Sequence, residues 1–295
     1  TRISILMSYP GFGGAEKNAI LMANELSRKG VDVEFVIVGD IGDIRHRLAP
    51  DVTIHELGVK RFKNALKPLI DYLKIRKPDA IQARIWPLTV IAVVAARFAD
   101  RNIRVVCSEH IVLSKSPVSR SPVTRLLQRL TTSVAYRMAD RLFGVSRGVA
   151  DDMANTALMQ QDRFDVINNA KDTVPDDVSA NQGLIEFANG RKIIIAVGSL
   201  KPQKGFDFLI ESVALLAKRR SDFCVAIVGE GAERSKLTEL IERHELSDTV
   251  HLFGFQRDIG QFYAASDVFA LSSYVEGFVN VMVEALSHGL GVVSI

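Results

Sequence analysis

The chain reads as an α/β protein of two tandem doubly wound domains, each a parallel sheet with crossover helices. Three observations predict this. Short β-branched runs alternate with longer helix-period stretches from end to end, the pattern left by parallel strands joined through helices. The 295 residues suit two domains of about 150. Hydrophobic residues at 47% and charged residues at 24% describe a globular chain able to bury a core, which excludes disordered, collagen-like and disulfide-framework classes.

The first unit opens with Ile3-Ser4-Ile5-Leu6-Met7, a strand over 3–8. A helix follows over 14–28 and stops at Gly30, its C′ glycine. Strand 33–38 and helix 62–76 come next, the helix halted at Lys77-Pro78. The alternation continues through strand 80–83, helix 88–98, strand 104–108, helix 123–138, strand 142–145, helix 147–155 and strand 165–167. Residues 171–189 are polar, with Pro175, Asp176, Asp177 and Gly183, and read as the linker. The second unit has strands at 193–197, 224–228, 250–253, 268–271 and 292–294. Helices at 207–219, 234–244, 258–264 and 279–287 separate them. We therefore expect a first domain over 1–175, a linker over 176–190 and a second, incomplete domain over 191–295. Tandem doubly wound domains place a ligand cleft between their carboxyl-end loops.

Both cysteines, Cys107 and Cys224, lie in apolar strand-like runs, which suggests buried thiols in a reducing compartment. The longest nearly apolar stretch, 87–99, is shorter than the roughly 18 residues of a span and is interrupted by Thr89 and Arg97. The first residues turn to Pro-Gly before a signal-like core develops, so a cytoplasmic protein is expected. The chain starts without Met and stops inside Val292-Val293-Ser294-Ile295, so we read it as lacking its last part. The net charge of +3 divides into +6 over residues 1–179 and −3 over the remainder. The basic residues of the front half cluster at 60–77 and 97–147.

The strongest local signal is Glu276-Gly277-Phe278-Val279-Asn280-Val281-Met282-Val283-Glu284-Ala285, after the strand at 268–271. Eight residues at about 1.5 Å rise separate the two carboxylates by at most about 12 Å, the span between two hydroxyl-bearing sugars joined by a diphosphate. The N–H groups of Phe278, Val279 and Asn280 would open the helix between them, a place for phosphate. The plainer alternative is a capped helix with Glu276 and Glu284 in solvent. The second signal is Gly198-Ser199-Leu200-Lys201-Pro202-Gln203-Lys204-Gly205-Phe206. A lysine beside a glycine at a strand-to-helix turn can reach a diphosphate. Lys204 suits better than Lys201 because Gly205 lets the backbone approach, although a plain surface lysine is the alternative.

Together these segments resemble the retaining glycosyltransferases of family 4, which have the GT-B fold of two Rossmann-like domains facing across a cleft. Gly13-Gly14-Ala15-Glu16, Ser108-Glu109-His110, Val145-Ser146-Arg147-Gly148-Val149, Ile167-Asn168-Asn169, Gly229-Glu230-Gly231 and Phe253-Gly254-Phe255 extend the likeness along the whole chain. The Glu-x7-Glu segment is most similar to bacterial enzymes of surface-polysaccharide and lipid-linked glycan synthesis. The resemblance implies that Glu276 holds donor-sugar hydroxyls, Glu284 the ribose, and Lys204 the diphosphate, aided by N–H groups at Phe278 and Val279. It implies that Gly14 approaches the donor phosphates, with Gly13 permitting the turn. His110 would hydrogen-bond a sugar hydroxyl, though a structural histidine is the alternative. Gly229, Phe253 and Gly254 would line the base pocket. The family usually has Arg where this chain has Ser199, which leaves either Lys201 to supply the charge or a leaving group less strongly held.

The implied activity is transfer of a hexose or N-acetylhexosamine from a nucleoside-diphosphate sugar, with uridine the family-based expectation, to a glycan or lipid-linked acceptor. An epimerase of the same fold and a catalytically weak nucleotide-sugar-binding homologue are the alternatives. No Asp-x-Asp and no His/Cys spacing suits a metal, so no metal or cofactor is expected. Arg234 takes the place of the third glycine in Gly229-Glu230-Gly231, against a dinucleotide site. The basic clusters lack interleaved aromatics, against nucleic acid. Arg120, Arg125, Arg129 and Arg137, with Leu126, Leu127, Leu130 and Val134, are amphipathic enough for an anionic membrane surface, and hence for a peripheral place on its inner face. A solvated helix over an ordinary core is the other reading.

Overall fold

The computed structural model describes residues 1–8, 13–40, 44–116, 119, 121–170 and 178–294. They fall into two compact units, Thr1–Ala170 and Lys171–Ile295. Arg120 and residues 171–177 of the expected linker lie outside the described residues.

The first unit runs β1 (Arg2–Met7), α1 (Gly14–Arg28), β2 (Asp32–Ile37), β3 (Thr53–Glu56), α2 (Leu66–Arg76), β4 (Ala80–Arg84), α3 (Leu88–Ala99), β5 (Arg104–Glu109), α4 (Pro122–Met138), β6 (Arg141–Gly144), α5 (Arg147–Ala157) and β7 (Asp165–Val166). Its seven strands lie in the order β3-β2-β1-β4-β5-β6-β7, every pair parallel. The order reverses between β1 and β4, which leaves a crevice at their carboxyl ends. Ile5, Phe35 and Ile37 of the sheet pack under Ala19, Ile20 and Ala23 of α1.

The second unit runs α6 (Gln182–Ala188), β8 (Lys192–Val197), α7 (Phe206–Ala217), β9 (Phe223–Val228), α8 (Arg234–Arg243), β10 (Val250–Gly254), α9 (Gly260–Ala264), β11 (Val268–Leu271), α10 (Asn280–Ser287) and β12 (Gly291–Ser294). The strand order is β10-β9-β8-β11-β12, again parallel throughout, and it reverses between β8 and β11. Because successive side chains leave a strand on opposite faces, β9 feeds two cores at once. Val225 and Ile227 meet Leu209, Ile210 and Leu237 on one side, while Cys224 and Ala226 meet Phe262, Tyr263 and Ala285 on the other. Both cysteines are buried free thiols.

The expected α/β alternation is present, with three differences. The edge strand β3 was not expected, because Thr53-Ile54-His55-Glu56 carries one apolar residue and is largely exposed. Part of the expected linker is helix α6. The Asn181 side chain caps it by accepting from Leu184 N at 2.9 Å, and Leu184 and Ala188 anchor it in the second core. The helix expected from residue 62 begins as a short 3₁₀ turn, Phe62–Asn64, and continues as α2 only from Leu66.

Helix α4 is turned inside out. Its buried positions are Gln128, Thr132, Ala135 and Tyr136. Val123, Leu126, Leu127, Leu130 and Val134 form one stripe at i, i+3, i+4, i+7 and i+11, and Val123 is 76%, Leu130 58% and Val134 63% exposed. Gln128 is tied inward by Ser119 Oγ, which donates to its Oε1 at 2.8 Å. Among the described residues no helix is long and apolar enough to cross a membrane, and no group of three or more His, Cys, Asp or Glu is placed to hold a metal ion.

Candidate active site

Loops at the carboxyl ends of β8 and β11 flank the reversal point of the second sheet, and backbone contacts hold them together. Gly205 has φ +60°, and a Cβ there would lie 2.2 Å from Ser272 O. Glycine is therefore required by both conformation and space. Ser272 Oγ donates to Lys204 O at 2.8 Å, and Tyr274 N donates to Gln203 O at 2.9 Å. The aliphatic stem of Lys204 lies over Gly198, where a Cβ would sit 3.3 Å from its Cε. These contacts aim the ammonium at Glu276: Nζ reaches Oε1 at 2.5 Å, with the side chains only 16% and 20% exposed. Lys204 is thus no loose surface lysine, and Glu276 is not in solvent.

Gly229 and Gly254 bring the neighbouring loops against the same turn. Gly229 has φ +149°, a Cβ there would fall 1.9 Å from Gly198 O, and its N–H donates to Gly254 O at 2.8 Å. The carboxyl ends of β8, β9 and β10 consequently meet backbone to backbone. The Phe253 ring is half-buried and packs against Phe187, His251 and Phe262. Arg234 pairs with Glu230 at 2.6 Å. Ser199 accepts from Lys201 N through its carbonyl at 2.8 Å, and the Lys201 side chain is exposed.

Helix α10 starts at Asn280, one residue later than expected, with Val279 as its cap residue. The Asn280 N–H donates to Phe278 O at 3.1 Å. Of the three N–H groups expected to face a phosphate, that one is spoken for within the turn. Glu284 lies on the same helix, where Tyr263 OH approaches Oε2 at 3.4 Å and donates to Val281 O at 3.2 Å. Burial first, and then the Glu284 carboxylate, push the Tyr263 hydroxyl upward, so it stays a donor.

The first unit has its own reversal point, with Gly13 and Gly14 after β1 and Arg84 closing β4. Gly14 is the first residue of α1, and Gly13 is its cap at φ −73°. Gly13 was expected to permit an unusual turn. Its backbone is ordinary, and a Cβ there would meet only the tip of the Glu16 side chain, at 2.4 Å, which can swing aside, so the structure gives no conformational need for glycine at this position. His110 follows β5 and is buried, with Nε2 3.3 Å from Ser108 Oγ and Nδ1 without a hydrogen-bond partner. Burial, then the Arg84 guanidinium, depress the imidazole to about 3. Its neighbour Glu109 is fully buried and pushed up to about 8 by burial, against hydrogen bonds from Tyr136 OH (2.7 Å), Trp86 N and Thr89 Oγ1.

Sequence reasoning missed Arg84 and Gln82, both buried, and the loop ties through Ser272 and Tyr274. A signal existed for the first two. Polar residues at i and i+2 in a strand read as a solvent face, yet a parallel sheet covered on both sides has no such face.

The sequence profile described as Glycosyltransferase Family 4 matches residues 12–174, and the profile of Glycosyl transferases group 1 matches residues 181–295. An N-acetylgalactosaminyltransferase of Campylobacter jejuni that acts on N-acetylgalactosamine-N,N'-diacetylbacillosaminyl-diphospho-undecaprenol is 26% identical, over 99% of this chain and 80% of its own. The amylovoran biosynthesis glycosyltransferase AmsD of Erwinia amylovora is 24% identical, over 94% of this chain and 76% of its own. Among solved structures, Anabaena HepE in complex with UDP and glucose superposes with a TM-score of 0.81 at 22% identity, covering 99% of this chain and 80% of that one.

Proposed function

The chain belongs to Glycosyltransferase Family 4 and is a transferase of the GT-B fold, and from that premise we propose that it moves a sugar from a uridine-diphosphate sugar, with retention, to a glycan or lipid-linked acceptor of surface-polysaccharide synthesis. The observation that carries the reading is the Lys204–Glu276 pair at the reversal point of the second sheet, fixed there by Gly205, Ser272 and Tyr274. A cation and a carboxylate side by side match the junction of a diphosphate and a hydroxyl-bearing sugar. HepE binds UDP and glucose, and the Campylobacter relative acts on a diphospho-undecaprenol acceptor, which supports the donor and acceptor classes.

In this mechanism Lys204 leaves Glu276 for the diphosphate and offsets the charge that develops as the sugar–oxygen bond breaks. Glu276 is then free to accept from the sugar hydroxyls in charge-assisted hydrogen bonds worth about 1.5–3 kcal/mol. The acceptor hydroxyl attacks from the face the diphosphate leaves, and a departing phosphate oxygen takes its proton. Glu284 takes the ribose hydroxyls, and the Phe278 and Val279 N–H groups join Lys204 on the phosphates. Gly229 and Gly254 border the base, Lys201 adds charge near Ser199, and on the first unit Gly14 and His110 serve the donor phosphates and a sugar hydroxyl. The exposed stripe of α4, with Arg125 and Arg129, suits a peripheral position on an anionic membrane that carries the acceptor.

The test is mass spectrometry of products from the full chain, a panel of nucleoside-diphosphate sugars and a membrane lipid extract. Lys204→Ala and Glu276→Ala should lower turnover by orders of magnitude while the fold stays intact. Wild-type turnover in both would overturn the assignment, and conversion of a donor with no acceptor present would make the protein an epimerase.

A further inference from the structure

The loop after β4, at the reversal point of the first sheet, carries the chain's only tryptophan, Trp86, which is half-buried. Three restraints fix it there. The backbone before it is strained, because Ile85, a β-branched residue, stands at φ +61°. The Trp86 N–H donates to both oxygens of the buried Glu109, at 2.9 and 3.2 Å. Its ring Nε1 donates to Thr131 Oγ1 on α4 at 3.2 Å, and Thr131 Oγ1 passes its own proton to Leu127 O at 2.8 Å.

These bonds decide what the exposed part of the indole has to offer. Its only ring donor is already used inside the protein, and so are its backbone N–H, Glu109 and Thr131. What remains is apolar surface. Its surroundings have the same character. Residues three and four apart adjoin on a helix, so Thr131 borders Leu127 and Val134 of the outward stripe. Leu127 is 51% exposed, and Ile111, just past the end of the neighbouring strand β5, is 37% exposed. By the same spacing, the exposed Arg125 and Arg129 emerge on the other border of the stripe, beside Leu126. The stripe therefore has a cationic edge suited to anionic headgroups and an aromatic edge at the carboxyl ends of the strands.

We propose that Trp86 and Leu127 hold the hydrocarbon chain of a lipid-linked acceptor where it leaves the membrane for the carboxyl edge of the first sheet. The inference rests on the reading above that the acceptor is lipid-linked. A sugar ring on this tryptophan would need unspent donors and acceptors beside it, and the polar groups nearest the ring are paired with one another. A hydrocarbon chain needs none. The arginines face the bilayer across the stripe, so the chain crosses from one edge to the other without leaving apolar surface.

Because the chain has one tryptophan, its emission reports this contact alone. Farnesyl diphosphate, titrated into the full chain below its micelle concentration and without vesicles, should shift that emission to shorter wavelength and saturate. Inorganic diphosphate should not. Leu127→Ser should weaken farnesyl diphosphate about tenfold, the loss expected from one half-covered leucine, while Leu126→Ser on the far edge changes nothing. Both side chains face outward, so neither variant threatens the fold. Leu127→Ser should also raise the apparent KM for a membrane lipid extract, with kcat and UDP affinity unchanged. No shift with farnesyl diphosphate, the same shift with inorganic diphosphate, or equal affinity in Leu127→Ser overturns the proposal. A shift that appears only with phosphatidylglycerol vesicles assigns the contact to the bilayer and overturns it as well. Saturable binding that depends on Leu127, with no transfer to the lipid extract by the wild type, instead overturns the lipid-linked acceptor and leaves the apolar contact standing.

Discussion

Replacing Glu276 by Gln should tighten the binding of UDP while slowing sugar transfer. In the structure the Lys204 ammonium is held by Glu276 at 2.5 Å, with both side chains at least four-fifths enclosed. A diphosphate that recruits Lys204 must first displace this carboxylate. Coulomb attraction at such a distance amounts to several kcal/mol at an effective dielectric of about 20, but desolvation cancels much of it. The net worth of a hydrogen bond between charged groups is about 1.5–3 kcal/mol. An amide keeps a weak contact, so the gain in UDP affinity is about 1.4 kcal/mol or more, roughly tenfold to a hundredfold. Transfer loses the same kind of interaction at the sugar hydroxyls and should fall by about ten- to a hundredfold. Titration calorimetry with UDP measures the first effect, and initial rates with the donor measure the second. Lys204→Met should lose UDP affinity in either background. Equal or weaker UDP binding by a folded Glu276→Gln variant would refute the view that the pair opposes the diphosphate.

Other expectations follow from single contacts. Glu109, raised to about 8 from a usual 4.5, binds a proton in the fold that the unfolded chain releases, so it adds no penalty below pH 4.5 and destabilises progressively between about 4.5 and 8. Glu109→Gln should therefore flatten that decline, with a relative gain of a few kcal/mol at pH 8.5, read from denaturant melts at several pH values. Gly229→Ala combines a backbone at φ +149° with a Cβ 1.9 Å from Gly198 O, and should lower stability by about 2–4 kcal/mol, or roughly 5–15 °C in Tm by calorimetry. Leu126→Ser with Leu130→Ser should abolish sedimentation with anionic vesicles while leaving Tm within a degree or two, because both side chains already face outward.

Much of this architecture was written in periodicity. Strands such as residues 193–197 and 224–228 are buried on both faces and therefore appear as continuous apolar runs, which is why both sheets could be placed. β3 could not be, since an edge strand with one apolar residue makes its case through ladder bonds to β2 that leave no pattern in sequence. Helix α6 was obscured by its polar neighbours, although Asn181 as a cap with Leu184 and Ala188 four apart was visible in principle. At the site, Lys204 and Glu276 were legible because a glycine beside a charged residue after a strand is a local signal. That they touch was not legible, since 72 residues separate them and only the reversal of strand order brings their loops together. The hydrogen bonds from Gln82 to Ser108 on β5 and from Arg84 to Ala15 on α1 were hidden for the same reason: those partners lie far along the sequence.

The most direct trial is a crystal structure of the full chain with an intact uridine-diphosphate sugar. The account predicts Lys204 Nζ parted from Glu276 and bonded to a diphosphate oxygen, with Glu276 on the sugar hydroxyls and Glu284 on the ribose. A nucleotide sugar bound with that ion pair still closed, or seated away from the loops after β8 and β11, would contradict it.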